Sequence, residues 1–450
     1  MIAFLCFCNF TSRHVFGRCG TRGFPSFHPG DVQVVKTKFV KWFVTTVIVA
    51  ASFWFYFQIN TYPYKVARWF QPYEAFFVHA LAEKCSPQLS WINIFAEYAV
   101  TVRGAYSAQA AFLSPDKLLE TCSLGYKDKL FGVQLEDMHR YRYASTTKLV
   151  TVAAIMRLKN QGKIGLNDKL VSFFPELTKF KDDRVRQISI AHLLNHAAGF
   201  NRLTLNGDAM FLQKNKPWCP NDFSKLETMT LSFNPGEKQI YSNEAYCLLG
   251  EVIHRVTGEG YRTYVEQEFS LAARDIKFVT EHYYDDEVRY DYRYEEWYND
   301  SYLTVFDFNA LSSSAGLSGS AAALAVLFWD IHHQTASPFA PRSSIKPCNF
   351  HKKISCASNG VFQYQPEKNG MALYYHEGYL PGASSIAVID SYGGVTIVLR
   401  SGADKLPATL DNEWIVWIYH RLNFYYTTQG KLPILNALSA SNFIENFHEI

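Results

Sequence analysis

Three short stretches of this chain carry residue types that can do chemistry together. Ser145-Thr146-Thr147-Lys148 sets a hydroxyl and an amine three residues apart, and on a helix positions i and i+3 share a face, with Cβ atoms about 5–6 Å apart. A serine hydroxyl is a poor nucleophile until a base lies within hydrogen-bond reach. A lysine becomes that base when desolvation and neighbouring cations favour its neutral amine. The stretch opens an apolar run, Leu149, Val150, Val152, Ala153, Ile155, Met156 and Leu158, in which an idle lysine would be costly to bury. A helix start also turns free amides toward developing negative charge. Tyr241-Ser242-Asn243 adds a phenol able to relay protons and an amide able both to donate and to accept. His376-Glu377-Gly378 adds an imidazole and, as a candidate substrate-binding position, a glycine that lets a substrate backbone approach an edge strand. Taken singly, each stretch has a bland reading: a helix cap with a surface lysine, a turn with a cap, a structural histidine.

The elements that must position these groups follow from local pattern. Ala144 to Lys159 reads as a buried helix stopped by Gly162, and Asn243 to about Val256 as a second helix. That second helix has Tyr246, Leu249, Val252, Ile253 and Val256 on one face and Gly258 as its stop. Ser384 to Asp390 and Val395 to Arg400 are β-rich runs joined by Ser391-Tyr392-Gly393-Gly394, the pattern of an antiparallel hairpin. Asp411 caps a last helix carrying Trp414, Ile415, Trp417, Ile418 and Leu422. The small and β-branched residues from Tyr98 to Leu113 suggest a first strand. Helices, a hairpin and a closing helix make the fold class α+β, not a doubly wound sheet.

In order along the chain, Ser-x-x-Lys at a helix start, Tyr-x-Asn, and a basic residue-x-Gly before a strand resemble the serine β-lactamase and penicillin-binding-protein superfamily. The flanks resemble its class C β-lactamase-like branch, with its esterase, D-aminopeptidase and D,D-peptidase relatives. Gly162 to Leu170 is similar to the segment after the nucleophile helix, and Leu193-Leu194-Asn195-His196-Ala197-Ala198-Gly199 to a Leu-Leu-x-His-x-x-Gly motif. Tyr246 to Gly258 and Ala315-Gly316-Leu317 fit as well. The resemblance implies an antiparallel β-sheet flanked by helices, with a helical subdomain carrying the Tyr241 motif. It implies Ser145 as nucleophile, Lys148 as its base and Tyr241 as proton shuttle to the leaving group. Asn243 and His376 would contact substrate, His376 through positive charge or a hydrogen bond. The amides of Ser145 and Tyr379, the residue after Gly378, would form the oxyanion hole. The implied reaction is acylation and hydrolysis of an ester, amide or D-amino-acid peptide bond, with no cofactor and no metal. A catalytically weak scaffold or ligand-binding relative is the alternative. His376-Glu377-Gly378 departs from the Lys-Thr-Gly usual in penicillin-binding enzymes. Histidine is less suited to holding a β-lactam carboxylate, and Glu377 adds negative charge, so efficient β-lactam turnover is not expected. Glu377 is open to pairing with His376 or with a substrate ammonium.

Composition frames this reading. Of 450 residues 48% are hydrophobic, enough for a sizeable core, and 44 Lys and Arg against 41 Asp and Glu exclude a charge-driven nucleic-acid binder. The charge is unevenly placed: residues 1–41 hold Arg13, Arg18, Arg22, Lys36, Lys38 and Lys41 against Asp31 alone. An uncharged stretch from Trp42 to Tyr64 follows. Its residues 42–59 would span roughly 27 Å as a helix, close to a hydrocarbon core of about 30 Å, with Trp and Tyr at the ends. The expected organisation is a basic cytoplasmic segment 1–41, a transmembrane anchor 42–59, a connector 60–95, a hydrolase domain 96–430 and a tail 431–450. The positive-inside bias puts the domain outside the cytoplasm, in a periplasm or alternatively a mitochondrial intermembrane space. The expected partners are a small-molecule or peptide substrate and, through the anchor, the membrane.

Six of the nine cysteines follow the span, which permits disulfides in an oxidising compartment. Cys348 and Cys356, eight apart, are the expected local disulfide pair, and Cys247, within an apolar helical pattern, reads as a buried free thiol. In the connector, Trp69, Phe70, Phe76, Phe77 and Leu81 recur at helical spacing. Residues 281–300 concentrate eight acids and six tyrosines, read as a solvated loop with packed tyrosines or as an aromatic, acidic rim selecting substrate. His192 and His196 have i,i+4 spacing, but Leu193 stands where a zinc protease needs glutamate, so His196 is expected to bond within its loop.

Overall fold

The computed structural model describes residues 29–86, 91–201, 211–294, 300–334, 336–339, 356–402 and 411–428. The chain divides into two units, 1–63 and 64–450. The first consists, among its described residues, of helix α1 (Pro29–Thr61). Its stretch Val40–Thr61, with mean hydropathy 1.5 and no buried residue, is long and apolar enough to cross a membrane.

The second unit starts with helix α2 (Pro63–Leu81) and continues through strands β1 (Glu83–Ser86), β2 (Ser107–Leu113), β3 (Leu119–Leu124) and the short β4 (Tyr141–Arg142). Helices α3 (Lys148–Asn160) and α4 (Asn243–Thr257) follow, then β5 (Lys277–Phe278), β6 (Leu317–Gly319) and helix α5 (Ala321–His332). Strands β7 (Cys356–Ser358), β8 (Val361–Tyr364), β9 (Leu373–Leu380), β10 (Ala383–Asp390) and β11 (Val395–Ser401) complete the sheet before helix α6 (Asp411–Thr428). Among the described residues, eight strands form an antiparallel sheet in the order β1-β3-β2-β11-β10-β9-β8-β7, and β4-β6-β5 form a small second sheet. This is the α+β architecture read from the sequence.

Both faces of the large sheet are covered. In β10, Ala383, Ala387 and Ile389 join a core with α3, α4 and α5, while Ile386 and Val388 join a second core with α6. The same alternation runs through β2 and β11, as a period of two requires. In α6, Trp414, Ile415, Ile418 and Leu422 line that second core, and Trp417 stacks on Tyr98 with ring centroids 4.3 Å apart.

Three local expectations are corrected. Tyr98–Val102 is a helical turn following Asn93–Glu97, not the start of a strand; β2 begins only at Ser107. Packing of Ala99 and Val100 against the core overrides the strand preference of Val100, Thr101 and Val102. Cys247 is not a free thiol: it is bonded to Cys219, and Cys85 is bonded to Cys122 across the register of β1 and β3. The Cys348–Cys356 pairing lies outside the described residues. Third, in the described part of the acid- and tyrosine-rich stretch, to residue 294, Tyr290 and Tyr292 pack on the domain as one reading expected, but the segment is not simply solvated. Asp286, Glu287 and Asp291 pair with arginines. Arg142, in β4, donates to Glu287 Oε1 at 2.6 Å, with both side chains 1% exposed. Arg140 donates to Asp286, and Arg293 pairs with Asp291 and Glu74. Arg142 also faces the rings of Tyr283, Tyr290 and Tyr302.

Removing one member of a buried pair strands the other charge in a low dielectric, at a cost of about 3–5 kcal/mol. Glu287→Ala is therefore expected to lower unfolding stability by ~3–5 kcal/mol, far more than Glu136→Ala at the exposed Lys84–Glu136 pair. Denaturant titration of both variants measures the difference.

Candidate active site

Ser145 lies in a tight 3₁₀ turn, Ala144–Thr147, that runs directly into α3. The residue before it, Ala144, has φ +48°, a left-handed conformation that a non-glycine residue adopts only where its surroundings impose it. Those surroundings are visible. Tyr143 N–H donates to Leu317 O at 2.8 Å, Tyr143 O–H donates to Ser320 O at 2.8 Å, and Ser385 Oγ of β10 donates to Tyr143 O at 2.6 Å. The turn is thus tied to both sheets.

Lys148, the first residue of α3, is fully buried. Its Nζ donates to Ser145 Oγ at 3.1 Å, to Asn243 Oδ1 at 2.6 Å and to Ser314 O at 2.8 Å. The rings of Tyr241 and Tyr246 lie 4.9 and 5.2 Å from it. Tyr241 O–H donates to Ser145 Oγ at 2.7 Å. A serine oxygen thus meets a lysine nitrogen and a phenol oxygen drawn from segments 96 residues apart. Two of the lysine's partners are carbonyl-type oxygens that can only accept. In a neutral amine the two hydrogens would serve those two oxygens, leaving the lone pair directed at Ser145 Oγ.

Asn243 starts α4, whose cap is Ser242: its Oγ accepts the Ala245 N–H at 3.2 Å, and Gly258 closes the helix at φ +78°. The loop before it is held by a residue whose reach the sequence reading missed. His196, buried and at φ +55°, accepts the Ser242 N–H through Nδ1 at 3.2 Å, and its ring lies 4.4 Å from that of Tyr241. Its backbone N–H donates to Leu193 O within its own loop, as expected, while its ring and its carbonyl reach the Tyr241 loop; the Leu-Leu-x-His-x-x-Gly motif was the available signal. His192 is likewise spent locally, its Nδ1 accepting the Ser189 N–H in a capping box. Ser314 and Ser385, which contact the lysine and the turn, carried no signal in the sequence.

The third stretch lies on β9. His376 is buried, with Nδ1 donating to Glu377 O at 2.7 Å; a carbonyl can only accept, which assigns the proton to Nδ1. Burial, and next the Lys148 charge, push its pKa down to about 3. Of the two contributions expected of His376, positive charge or a hydrogen bond, this shift favours the hydrogen bond. Gly378 has a packing reason. A Cβ there would sit 2.6 Å from Tyr143 O and 2.9 Å from Ser145 N, so the strand touches the Ser145 turn; β9 lies between β10 and β8 and is not the expected edge strand. Alternation puts Glu377 on the opposite face of β9 from His376 and Gly378, which removes it from the catalytic face. Tyr379, the next residue, has a half-exposed side chain and pairs with Ser384 of β10.

The family model for beta-lactamase matches residues 95–416. The chain is 31% identical over 368 residues to the putative fimbrial assembly protein FimD, serogroup D, of Dichelobacter nodosus, covering 81% of this chain and 92% of that one. Among solved structures it is similar to the D-amino acid amidase of Ochrobactrum anthropi SV3 complexed with L-phenylalanine amide. There the TM-score is 0.56 at 19% identity, over 75% of this chain and 98% of that one. The penicillin-binding protein of Bacillus halodurans gives a TM-score of 0.52 at 20% identity, over 69% and 95%. At these identities the solved structures speak to the fold alone.

Two outcomes are expected. In the unfolded chain a histidine takes up its proton near pH 6.5, whereas folded His376 does so only near 3. Between those values protonation favours the unfolded state, so this group makes stability fall as pH drops below 6.5, by up to about 1.4 kcal/mol per pH unit. The difference in unfolding free energy between the wild type and His376→Asn should narrow across that window, measured by denaturant titration from pH 7 to 4. Gly378→Ala should push β9 off the turn and cut the rate of serine acylation by an activity-based probe at least tenfold, with far-ultraviolet circular dichroism unchanged.

Proposed function

We propose, from the premise that this chain belongs to the beta-lactamase family within the serine β-lactamase and penicillin-binding-protein superfamily, that it is a membrane-anchored serine hydrolase working through a Ser145 acyl-enzyme. One observation carries the reading: a buried amine and a phenol converge on a single serine oxygen, at 3.1 and 2.7 Å. Lys148, as the neutral amine, takes the Ser145 proton while Oγ adds to the carbonyl carbon of an ester or amide. Negative charge gathers on the carbonyl oxygen, where the backbone amides of Ser145 and Tyr379 stabilise it. The tetrahedral adduct collapses when the bond to the leaving alcohol or amine breaks and Tyr241 hands that group a proton. Lys148 then passes the proton it took to the Tyr241 phenolate, restoring both groups; water adds to the acyl-enzyme as that pair takes its proton, and Ser145 Oγ recovers the proton when the acid leaves. Asn243 fixes the lysine and presents its amide to the substrate. No cofactor enters any step.

The neutral state of His376 narrows the substrate. Without a cation on β9, a substrate carboxylate gains nothing there, so esters, amides and D-amino-acid amides suit the site better than β-lactams. Anchoring rests on α1, whose apolar stretch follows a basic segment; the positive-inside bias then puts the catalytic body outside the cytoplasm. Two disulfides among the described residues support an oxidising compartment such as a periplasm.

The purified protein is expected to react with a fluorophosphonate probe and to hydrolyse members of a panel of p-nitrophenyl esters and D-amino-acid amides, with nitrocefin turned over poorly. Ser145→Ala should abolish labelling and lower turnover by on the order of 10⁴-fold or more. Tyr241→Phe should cost about 10²–10⁴-fold in kcat while leaving stability unchanged. Absence of both labelling and turnover in folded wild-type protein would instead make it a non-catalytic scaffold.

A further inference from the structure

Helix α2 has two faces of different character, and the larger side chains are on the outside. Val66, Gln71, Ala75 and Val78 are buried against the catalytic body. The opposite stripe, Trp69, Phe70, Tyr73, Phe76, Phe77 and Leu81, repeats at helical spacing and is 42% to 69% exposed. The stripe continues onto a neighbouring loop: Phe131 is 61% exposed, and its ring lies 6.2 Å from that of Phe77. Hydrophobic burial alone would roll the aromatic side inward. Polar ties prevent it. Gln71 Nε2 donates to Val100 O at 3.1 Å, Arg68 donates to Arg293 O, Glu74 pairs with Arg293, and His79 pairs with Glu97 at 3.1 Å. The helix is locked with an aromatic face outward, and a contiguous apolar face of this kind marks a contact surface.

Chain connectivity says what covers it. One residue, Tyr62, separates the end of α1 at Thr61 from the start of α2 at Pro63. One residue reaches at most about 3.6 Å, so if α1 crosses the bilayer, α2 starts at its surface. Aromatic side chains on an amphipathic helix, with Lys65 and Arg68 in its first turns, suit the layer between headgroups and acyl chains. We propose that α2 lies in the membrane interface, with Tyr73, Phe76, Phe77, Leu81 and Phe131 inserted among the lipids, so that the catalytic body docks on the bilayer and does not swing from a tether. This rests on the reading of α1 as a membrane anchor. The same helix grips, through Glu74 and Arg293, the segment whose Tyr290 and Tyr292 pack at Gly382, in the turn joining β9 and β10. Lipid contact is thereby linked to the strand that carries the third motif.

The test uses the full chain reconstituted in bilayers of phosphatidylethanolamine and phosphatidylglycerol. The photoreactive amino acid p-benzoylphenylalanine replaces Phe76 or, as a control at an exposed site elsewhere, Lys163. After irradiation, mass spectrometry is expected to find lipid adducts at position 76 at fivefold or greater yield than at position 163. Equal yields, or crosslinks from position 76 to a second copy of the chain, would overturn the docking. Alkaline carbonate extraction separates the two readings. A chain retained in the bilayer without lipid adducts at position 76 defeats the docking alone, whereas a chain released by carbonate defeats the anchor and the docking with it.

Discussion

Burying a lysine amine without wasting it is the constraint on which this molecule turns. An amine taken wholly out of water must find hydrogen-bond partners for each of its positions or lose several kcal/mol. Lys148 finds a serine oxygen, an asparagine oxygen and a backbone carbonyl, together with two aromatic faces. Those partners come from the helix start itself, from the head of α4 and from the segment before β6. Three separated stretches must therefore fold onto one point before the lysine can be buried at all.

The rest of the architecture can be understood as holding that point still. The antiparallel sheet brings β9 against the nucleophile turn closely enough that only a glycine fits at 378, and β10 reaches the same turn through Ser385. His196 fixes the loop carrying Tyr241 from the other side. Beneath the turn, Arg142 and Glu287 form a buried ion pair that joins β4 to the tyrosine-rich segment. Such pairs add little net stability against apolar replacements but are costly to break singly. They select one arrangement over near alternatives, which suits a site that depends on distances of about 3 Å.

Charge and polarity divide the surroundings. His376 brings an imidazole to the site, and burial by itself disfavours its protonation. The glutamate beside it faces away by the alternation of the strand. Farther off, polar ties through Arg68, Gln71, Glu74 and His79 hold α2 with its aromatic side chains exposed.

Much of this was legible in the residues alone. The helix that starts at the nucleophile, the helix from Asn243 closed by Gly258, the β10–β11 hairpin, the closing helix and the α+β class follow from apolar periodicity and from caps and turns, which are properties of adjacent residues. So does the apolar stretch after the basic segment. The choice among partners was not. Pairing of Cys247 with Cys219, the turn of His196 toward Ser242, the carbonyl that Ser314 offers the lysine, the neutral state of His376 and the helical turn at Tyr98 all depend on which segments meet. The outward stripe of α2 is the plainest case: spacing shows that Trp69, Phe70, Phe76, Phe77 and Leu81 share a face, but only hydrogen bonds to Val100 and Arg293 decide that this face is left outside. Local order is written in neighbours a few residues apart, whereas burial, protonation and partner choice are set by contacts between residues tens to hundreds of positions apart, which only the folded chain brings together.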